Sequence, residues 1–276
     1  MDEAAALSVA VTGAGGFVGA TLLPALAAAG HRAVPLPLRG VAEIRLPAQT
    51  RTVVHLAALA HGRAGDLHQV NVELAEEVGR AAAAAGAHLV FASTVKVHGE
   101  QSDAPFTESS PIAPQDPYAE SKARAEERLH RIAGLRLTVL RPPLVYGPGV
   151  KANFRALMSA VARGVPLPLG ALGNRRSILY VGNLADAVIR CIARPKDAVW
   201  LVADGAPLST TELCRRIGAA LGRRARLFPF PAALLPRKLA GSLEVDDAAI
   251  RRSLGWQPPF SQQAGLQATA DWFRRS

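Results

Sequence analysis

The sequence has few cysteines and no long apolar run. Its 276 residues include only Cys191 and Cys214, which lack the Cys-x-x-Cys spacing of redox and zinc sites. This excludes a disulfide framework, and we expect both to be small buried side chains. No run of about 18 apolar residues occurs, which excludes a membrane-spanning helix. Asp2 and Glu3 stand where a signal peptide would carry positive charge, so we expect a cytoplasmic protein.

Aromatic residues make up only 5% of the chain, and this bears on its charge. The formal net charge is +10, and only five of the 32 basic residues are lysines. A nucleic-acid-binding protein would place stacking aromatics among such arginines, and none are interleaved here. We therefore expect no nucleic-acid partner, and we interpret the charge as that of a basic cleft for an anionic small molecule. The histidines, including His61 and His68, lack metal-ligand spacing, and no metal site is expected.

Apolar strand-like runs alternate with helical patterns along the first 200 residues. Such alternation predicts an α/β protein with a doubly wound parallel sheet covered on both faces. From residue 148 onwards Pro and Gly become frequent, which predicts loops and short elements over the carboxyl edge of the sheet, where open sheets bind ligands. The predicted strands are 8–11, 33–38, 52–57, 88–92, 137–140 and 199–202, and the main predicted helices are 17–29, 70–85 and 118–132.

A glycine-rich turn follows the first predicted strand. Gly13, Gly16 and Gly19 lie where the strand gives way to a helix. Without side chains they let the backbone approach a pyrophosphate, whose charge the helix N-terminus stabilises. The alternative is a glycine-rich turn that binds nothing, but the strand–turn–helix context favours a dinucleotide site.

Tyr118 and Lys122 are four residues apart, on one face of a predicted helix that Asp116 and Pro117 begin. A tyrosine with a pKa near 10 is a poor base at neutral pH. A neighbouring lysine ammonium and a cationic nicotinamide would favour the phenolate and lower that pKa. By itself this spacing is common, and the alternative is that the two side chains lie on an exposed helix face without a catalytic role.

Hydroxyl side chains follow the predicted strand 88–92. Ser93 and Thr94 stand at its carboxyl end, where a hydroxyl can point into the cleft and bind a substrate oxygen. Asn71 lies in a predicted helix and, from its own context, is typical of a helix surface.

Taken in order, these motifs resemble the extended short-chain dehydrogenase/reductases, in the branch of NAD-dependent nucleotide-sugar epimerases and dehydratases. The resemblance covers essentially the whole chain, and within that branch it is strongest to a UDP-glucose 4-epimerase-like bacterial subgroup that includes UDP-4-keto-6-deoxy-N-acetylhexosamine 4-reductases. The motifs are Thr12 to Gly19, His55-Leu56-Ala57-Ala58, Asn71, Ser93 to Glu100, Tyr118-x-x-x-Lys122, and Arg141 to Gly149 followed by Lys151 to Phe154.

The resemblance implies a Rossmann-type fold in two parts. Residues 1–147, with about 177–203, would form the dinucleotide-binding domain. Residues 148–176 and 204–276 would form a smaller C-terminal α/β part that binds a nucleotide sugar. It also implies a homodimer formed through a helix pair that includes the helix of Tyr118.

The same resemblance implies the site residues. Tyr118 is the acid/base at the C4 oxygen of the sugar, Lys122 lowers its pKa and holds the nicotinamide ribose, and Thr94 orients the same oxygen. Arg176 would face the substrate diphosphate. The implied cofactor-binding residues are Gly13, Gly15, Gly16, Phe17, Val18, Gly19, Arg39, Leu56, Ala57, Ala58, Asn71, Ser93, Tyr118, Lys122 and Pro142, and the implied substrate-binding residues are Thr94, Lys96, Asn153, Phe154 and Arg176.

The sequence departs from the family pattern in three places. The second predicted strand offers no carboxylate for an adenosine ribose, and Arg39 is nearby, which favours NADP slightly over NAD. The segments 40–51 and 228–242 are shorter than the corresponding segments of the family. Val95 and Lys96 follow Thr94 where family dehydratases have an acidic pair, so dehydration is disfavoured.

Together these features predict an NAD(P)-dependent enzyme acting at C4 of a UDP-sugar, either a 4-epimerase or a 4-ketoreductase, in bacterial surface-polysaccharide synthesis. The alternative is a catalytically silent NAD(P)-binding protein that senses redox state. Intact Thr94, Tyr118 and Lys122 argue against that alternative.

Overall fold

The computed structural model describes residues 7–38 and 43–276. A six-stranded, entirely parallel sheet forms its centre, in the order β2-β1-β3-β4-β5-β8, and β6 and β7 form a separate two-stranded parallel sheet. The strands are β1 (Ser8–Thr12), β2 (Arg32–Pro35), β3 (Thr50–His55), β4 (His88–Ala92), β5 (Arg136–Arg141), β6 (Leu144–Tyr146), β7 (Ile178–Tyr180) and β8 (Ala198–Leu201).

Helices follow most of the strands. A π-helical turn (Gln69–Glu73) joins α2 to α3, and short 3₁₀ turns span Val95–Val97 and Ala232–Leu234. No helix in the described part of the chain is long and apolar enough to cross a membrane. The helices are α1 (Phe17–Ala28), α2 (Ala64–His68), α3 (Leu74–Ala84), α4 (Pro117–His130), α5 (Ala152–Ala162), α6 (Val181–Ala193), α7 (Thr210–Ala220), α8 (Arg237–Ala240), α9 (Ala248–Leu254) and α10 (Gln262–Arg275).

Both faces of the six-stranded sheet are buried. Side chains of a strand alternate between faces, so Val9 and Val11 of β1 pack in one cluster with residues of α1 and α6. Ala10, between them, packs in the cluster formed with α3 and α4 on the other face. Full burial on two faces explains why these strands are continuous apolar runs. The predicted doubly wound, Rossmann-type α/β fold is confirmed.

The second strand is shorter than predicted. It ends at Pro35 rather than at Leu38, because Pro35 and Pro37 lack the N–H groups that a longer ladder needs. The described residues between β2 and β3 (36–38 and 43–49) form no helix or strand. Arg39 lies outside the described residues.

β1 pairs with β2 on one side and with β3 on the other, so the strand order reverses at β1. Such a switch point opens a crevice at the carboxyl ends of the strands, which is where open α/β sheets bind ligands. The glycine turn after β1 and the segments after β3, β4 and β5 therefore meet at this edge.

The later part of the chain packs a cluster of its own around the two-stranded sheet. Tyr146 of β6 is fully buried there, beside α5, α7 and α10. Its hydroxyl donates to Asp204, which follows β8 and also accepts hydrogen bonds from the backbone N–H of Tyr180 and from the side chain of Asn183. Burial raises the pKa of Asp204 to about 6. Asp204 thereby links β6, β7 and α6 to the end of β8.

Candidate active site

The turn between β1 and α1 forms a cradle with no room for side chains. Gly13 has φ of +66°, and a Cβ there would lie 2.6 Å from the backbone nitrogen of Ala57. A Cβ at Gly19 would lie 2.4 Å from the carbonyl oxygen of Ala14. Gly15 and Gly16 are exposed, and α1 begins at Gly16 without a side-chain cap or an acidic residue in its first turn. The N–H groups at the start of α1 are thus available to a phosphate, and this cradle fits the pyrophosphate of a dinucleotide.

The segment after β3 lies against this cradle. Thr12 Oγ1 is 2.9 Å from His55 Nδ1 and accepts the backbone N–H of Ala57 at 3.3 Å. Leu56 and Ala57 are partly buried and Ala58 is exposed. The predicted cofactor-binding residues of the glycine turn and of 56–58 are therefore adjacent in the structure.

His55 Nε2 is buried, and no protein atom of the described chain bonds to it. The ring stacks on Phe91 of β4 with centroids 5.7 Å apart. Burial and the nearby Lys122 ammonium lower the pKa of His55 to about 3, so the imidazole is neutral at physiological pH.

Tyr118 and Lys122 lie on α4, which begins at Pro117. Asp116 caps this helix by accepting the N–H of Ala119 at 2.7 Å, and Pro117 occupies its first turn. Lys122 is 1% exposed, and its Nζ lies 3.9 Å from the centroid of the Phe91 ring. Burial lowers the pKa of Lys122 to about 7.

The pKa of Tyr118 differs from the sequence-based expectation. Burial and the Asp116 carboxylate raise it to about 12, so the protein alone favours the neutral phenol. In this state Tyr118 is a proton donor. A positive charge placed beside it would be needed to favour the phenolate.

Thr94 and Ser93 follow β4 at the same edge. Thr94 is 7% exposed, and its Oγ1 caps the 3₁₀ turn by accepting the N–H of Lys96 at 3.3 Å. The N–H of Val95 donates to the carbonyl of Pro142 at 2.9 Å, which places buried Pro142 beside this turn. Ser93 donates to the Glu126 carboxylate. Its hydroxyl is therefore engaged within the protein.

Asn71 is fully buried rather than on a helix surface, so that expectation is corrected. It lies in the π-helical turn, where its amide donates to Leu59 O at 2.9 Å and to Ser121 Oγ at 2.9 Å. Its Oδ1 accepts the N–H of Leu59 at 2.8 Å. The Asn71 amide thus links the segment after β3 to α4 at Ser121, which stands between Tyr118 and Lys122 in the sequence.

Most of the residues predicted to bind substrate have partners within the protein. Lys96 is engaged with Asp116 and Glu100. Asn153 is exposed, whereas Phe154 is 3% exposed and stacks on Tyr146 with centroids 5.4 Å apart. Arg176 donates to Gly241 O at 2.8 Å. Their substrate-binding roles remain predictions.

The protein-family comparison decides the classification. The model of the NAD dependent epimerase/dehydratase family matches residues 9–203. The chain belongs to this family. A UDP-glucose 4-epimerase of Vibrio cholerae is 33% identical over 312 aligned positions, covering 96% of this chain and 95% of that protein.

Two solved structures have the same fold as this chain. RMD from Pseudomonas aeruginosa, complexed with NADPH, superposes with a TM-score of 0.82 at 23% identity, covering 98% of this chain and 99% of that one. MoeE5, in complex with UDP-glucose and NAD, gives a TM-score of 0.78 at 26% identity, covering 97% and 99%. The resemblance inferred from the motifs is confirmed.

The family motifs did not identify a buried network beneath the site. Glu126 of α4 binds the guanidinium of Arg141 at the end of β5, and both are nearly fully buried. Arg141 also contacts His98 Nε2 at 2.9 Å. Glu126 could have been found from the helix period, because Tyr118, Lys122 and Glu126 are spaced by four residues and share a face.

Proposed function

We propose that this protein is an NAD(P)-dependent oxidoreductase that acts at C4 of a UDP-sugar, as a 4-ketoreductase or a 4-epimerase. The proposal is supported by the position of Lys122, on the same helix as Tyr118, against Phe91 of β4, the strand that Thr94 follows. Phe91 in turn stacks on His55, which bonds to Thr12 next to the glycine turn. Its relatives named UDP-glucose 4-epimerase, and MoeE5 with its bound UDP-glucose, support a nucleotide-sugar substrate. We place the reaction in the synthesis of bacterial surface-polysaccharide precursors.

The residues divide the work as follows. Tyr118 transfers a proton to or from the C4 oxygen, Thr94 orients that oxygen, and Lys122 holds the nicotinamide ribose. A nicotinamide held in this site would supply or accept the hydride at C4. In the reducing direction, C4 gains a hydride and its oxygen gains the Tyr118 proton, which turns the ketone into an alcohol. The phenolate is then reprotonated from solvent.

One observation favours reduction over epimerisation. The missing acid after β2 supports an exchangeable cofactor, with a lean towards NADP. An epimerase instead needs Tyr118 first as a base and a cofactor that stays bound.

The deciding experiment follows reduced cofactor at 340 nm with a UDP-4-keto-6-deoxy-N-acetylhexosamine, using NADPH and NADH in parallel. Stoichiometric loss of the reduced cofactor is the expected result. UDP-glucose and UDP-N-acetylglucosamine are assayed for C4 inversion with the same preparation. Inversion without net cofactor loss would establish the epimerase instead. Inactivity in both assays, with NAD(P) still bound, would favour the redox-sensing alternative.

We also propose a cytoplasmic homodimer paired through α4 and a neighbouring helix. The outer surfaces of α3 and α4 carry the ion pairs Arg80–Glu76 and Arg128–Glu76, which leave an exposed, mixed-charge face for a second copy. Light scattering coupled to gel filtration tests the dimer. A monomeric mass at micromolar concentration would contradict it.

A further inference from the structure

Four charged side chains form a chain of contacts beside Thr94 and Tyr118. Lys96 Nζ binds the Asp116 carboxylate and lies 2.9 Å from Glu100 Oε1. Lys238 of α8 lies 3.6 Å from the same Glu100 oxygen. The side chains of Lys96, Glu100 and Asp116 are only 30%, 20% and 22% exposed, so solvent screens their interactions incompletely.

Lys96 joins the two segments that carry the predicted catalytic groups. Its backbone belongs to the 3₁₀ turn capped by Thr94, and its side chain ends on Asp116, two residues before Tyr118. The two oxygens of Asp116 have separate partners. Oδ1 accepts the N–H of Ala119 and caps α4, and Oδ2 binds Lys96. The ion pair therefore fixes the start of α4 relative to the turn.

The same pair sets the charge that faces Tyr118. Asp116 raises the pKa of the phenol, and Lys96 offsets that negative charge. The other charged groups near the pair are Glu100 and Lys238, and Arg176 interacts with Glu100. Lys122 lies one helical turn after Tyr118 on α4. Although burial opposes it, the bond to Lys96 holds the pKa of Asp116 below its usual value, so the carboxylate stays ionised at neutral pH.

We propose that Lys96 is a positioning residue for α4 and Tyr118 and not a ligand of the substrate. Its ammonium is already bound to two carboxylates, whose negative charges offset its attraction for a substrate anion. This inference rests on the proposed function for the catalytic role of Tyr118. Its first test, however, needs no turnover.

The first test is an ultraviolet titration of tyrosinate at 295 nm in the NAD-saturated protein, with the Tyr118→Phe curve subtracted. The chain has only three tyrosines, so the difference curve isolates Tyr118. Lys96→Met should raise the midpoint by about one pH unit, the scale expected for loss of one nearby charge. Lys96→Arg should keep the wild-type midpoint, and so should Lys196→Met, a surface lysine bound to Ser253.

The double variant Lys96→Met/Asp116→Asn separates the two roles of Lys96. Asparagine still caps a helix but carries no charge, so the midpoint should return towards the wild-type value. An unshifted midpoint in Lys96→Met would overturn the proposal. So would a shifted midpoint that Asp116→Asn does not reverse.

Kinetics provide the second test. Lys96→Met should move the pH profile of kcat to higher pH and leave the KM of the sugar nucleotide within about twofold, because no substrate contact is lost. A KM increase of tenfold or more at every pH, unrelieved by Asp116→Asn, would make Lys96 a substrate ligand and overturn the proposal. If no sugar nucleotide is turned over, the proposed function fails while the titration still decides the role of Lys96.

Discussion

Around β4 and β5 the carboxyl edge of the sheet is supported by a dense buried network, whereas around β2 the same edge is short and open. Thr94, Lys122, Glu126 and Arg141 are each less than a tenth exposed. Lys122 packs on Phe91 of β4, and Glu126 binds Arg141 of β5. Both ends of β2 are exposed, and the described residues that follow it form no helix or strand before β3. The difference indicates that buried side-chain contacts hold the β4–β5 side of the edge in place (the rigid side), whereas the described residues that follow β2 add few such contacts (the open side).

The largest expected effect concerns the rigid side. Tyr118→Phe removes the proton donor and should lower kcat about 10³-fold, since general acid catalysis contributes on that scale. The hydroxyl carries no structural hydrogen bond among the described residues, so the melting temperature should stay unchanged. Retention of full activity by this variant would contradict the catalytic assignment.

The network beneath the site should be the next most sensitive. Glu126→Ala leaves the buried Arg141 without its carboxylate, which should cost about 3–5 kcal/mol of unfolding free energy. Arg124→Ala breaks an exposed pair on the same helix and should cost less than about 0.5 kcal/mol. Urea denaturation measures both, and similar losses would show that burial does not distinguish the two pairs.

Acid should weaken the rigid side through His55. Its folded pKa of about 3 lies below the unfolded value of 6.5, so the unfolded chain binds the proton first and stability falls as pH drops below 6.5. Between pH 7 and pH 4 this amounts to roughly 3 kcal/mol. His55→Asn should flatten that part of the stability curve. An equally steep curve in the variant would place the acid sensitivity elsewhere.

The smallest expected effect concerns the open side. Arg39→Ala should raise the KM for NADPH about tenfold, the scale of one exposed phosphate contact, and leave the KM for NADH unchanged. Arg32→Ala, at the start of β2, is the matched control and should change neither. Equal changes for both cofactors would remove the basis for a preference at this residue.

Much of the rigid side could be predicted because its signals are local. A strand, a glycine turn and a helix within about a dozen residues are sufficient to predict the cradle around Gly13. The four-residue spacing of Tyr118 and Lys122 is fixed by the helix itself. The partners of Lys96 could not be predicted in this way, because Asp116 is 20 residues away and the two meet only when α4 packs against the turn. Likewise, the burial of Asn71 depends on the separate segments that contain Leu59 and Ser121.

The position of β8 has a consequence for how the protein is made. The last strand of the six-stranded sheet comes from residues 198–201 and pairs with β5, which ends about 60 residues earlier. During synthesis the apolar edge of β5 therefore stays unpaired while those residues are translated and leave the ribosome. An unpaired strand edge can pair with other chains, so this interval is when a nascent chain is most prone to misassembly. A truncated chain that stops after β6 would keep that edge open permanently, and it should aggregate on expression.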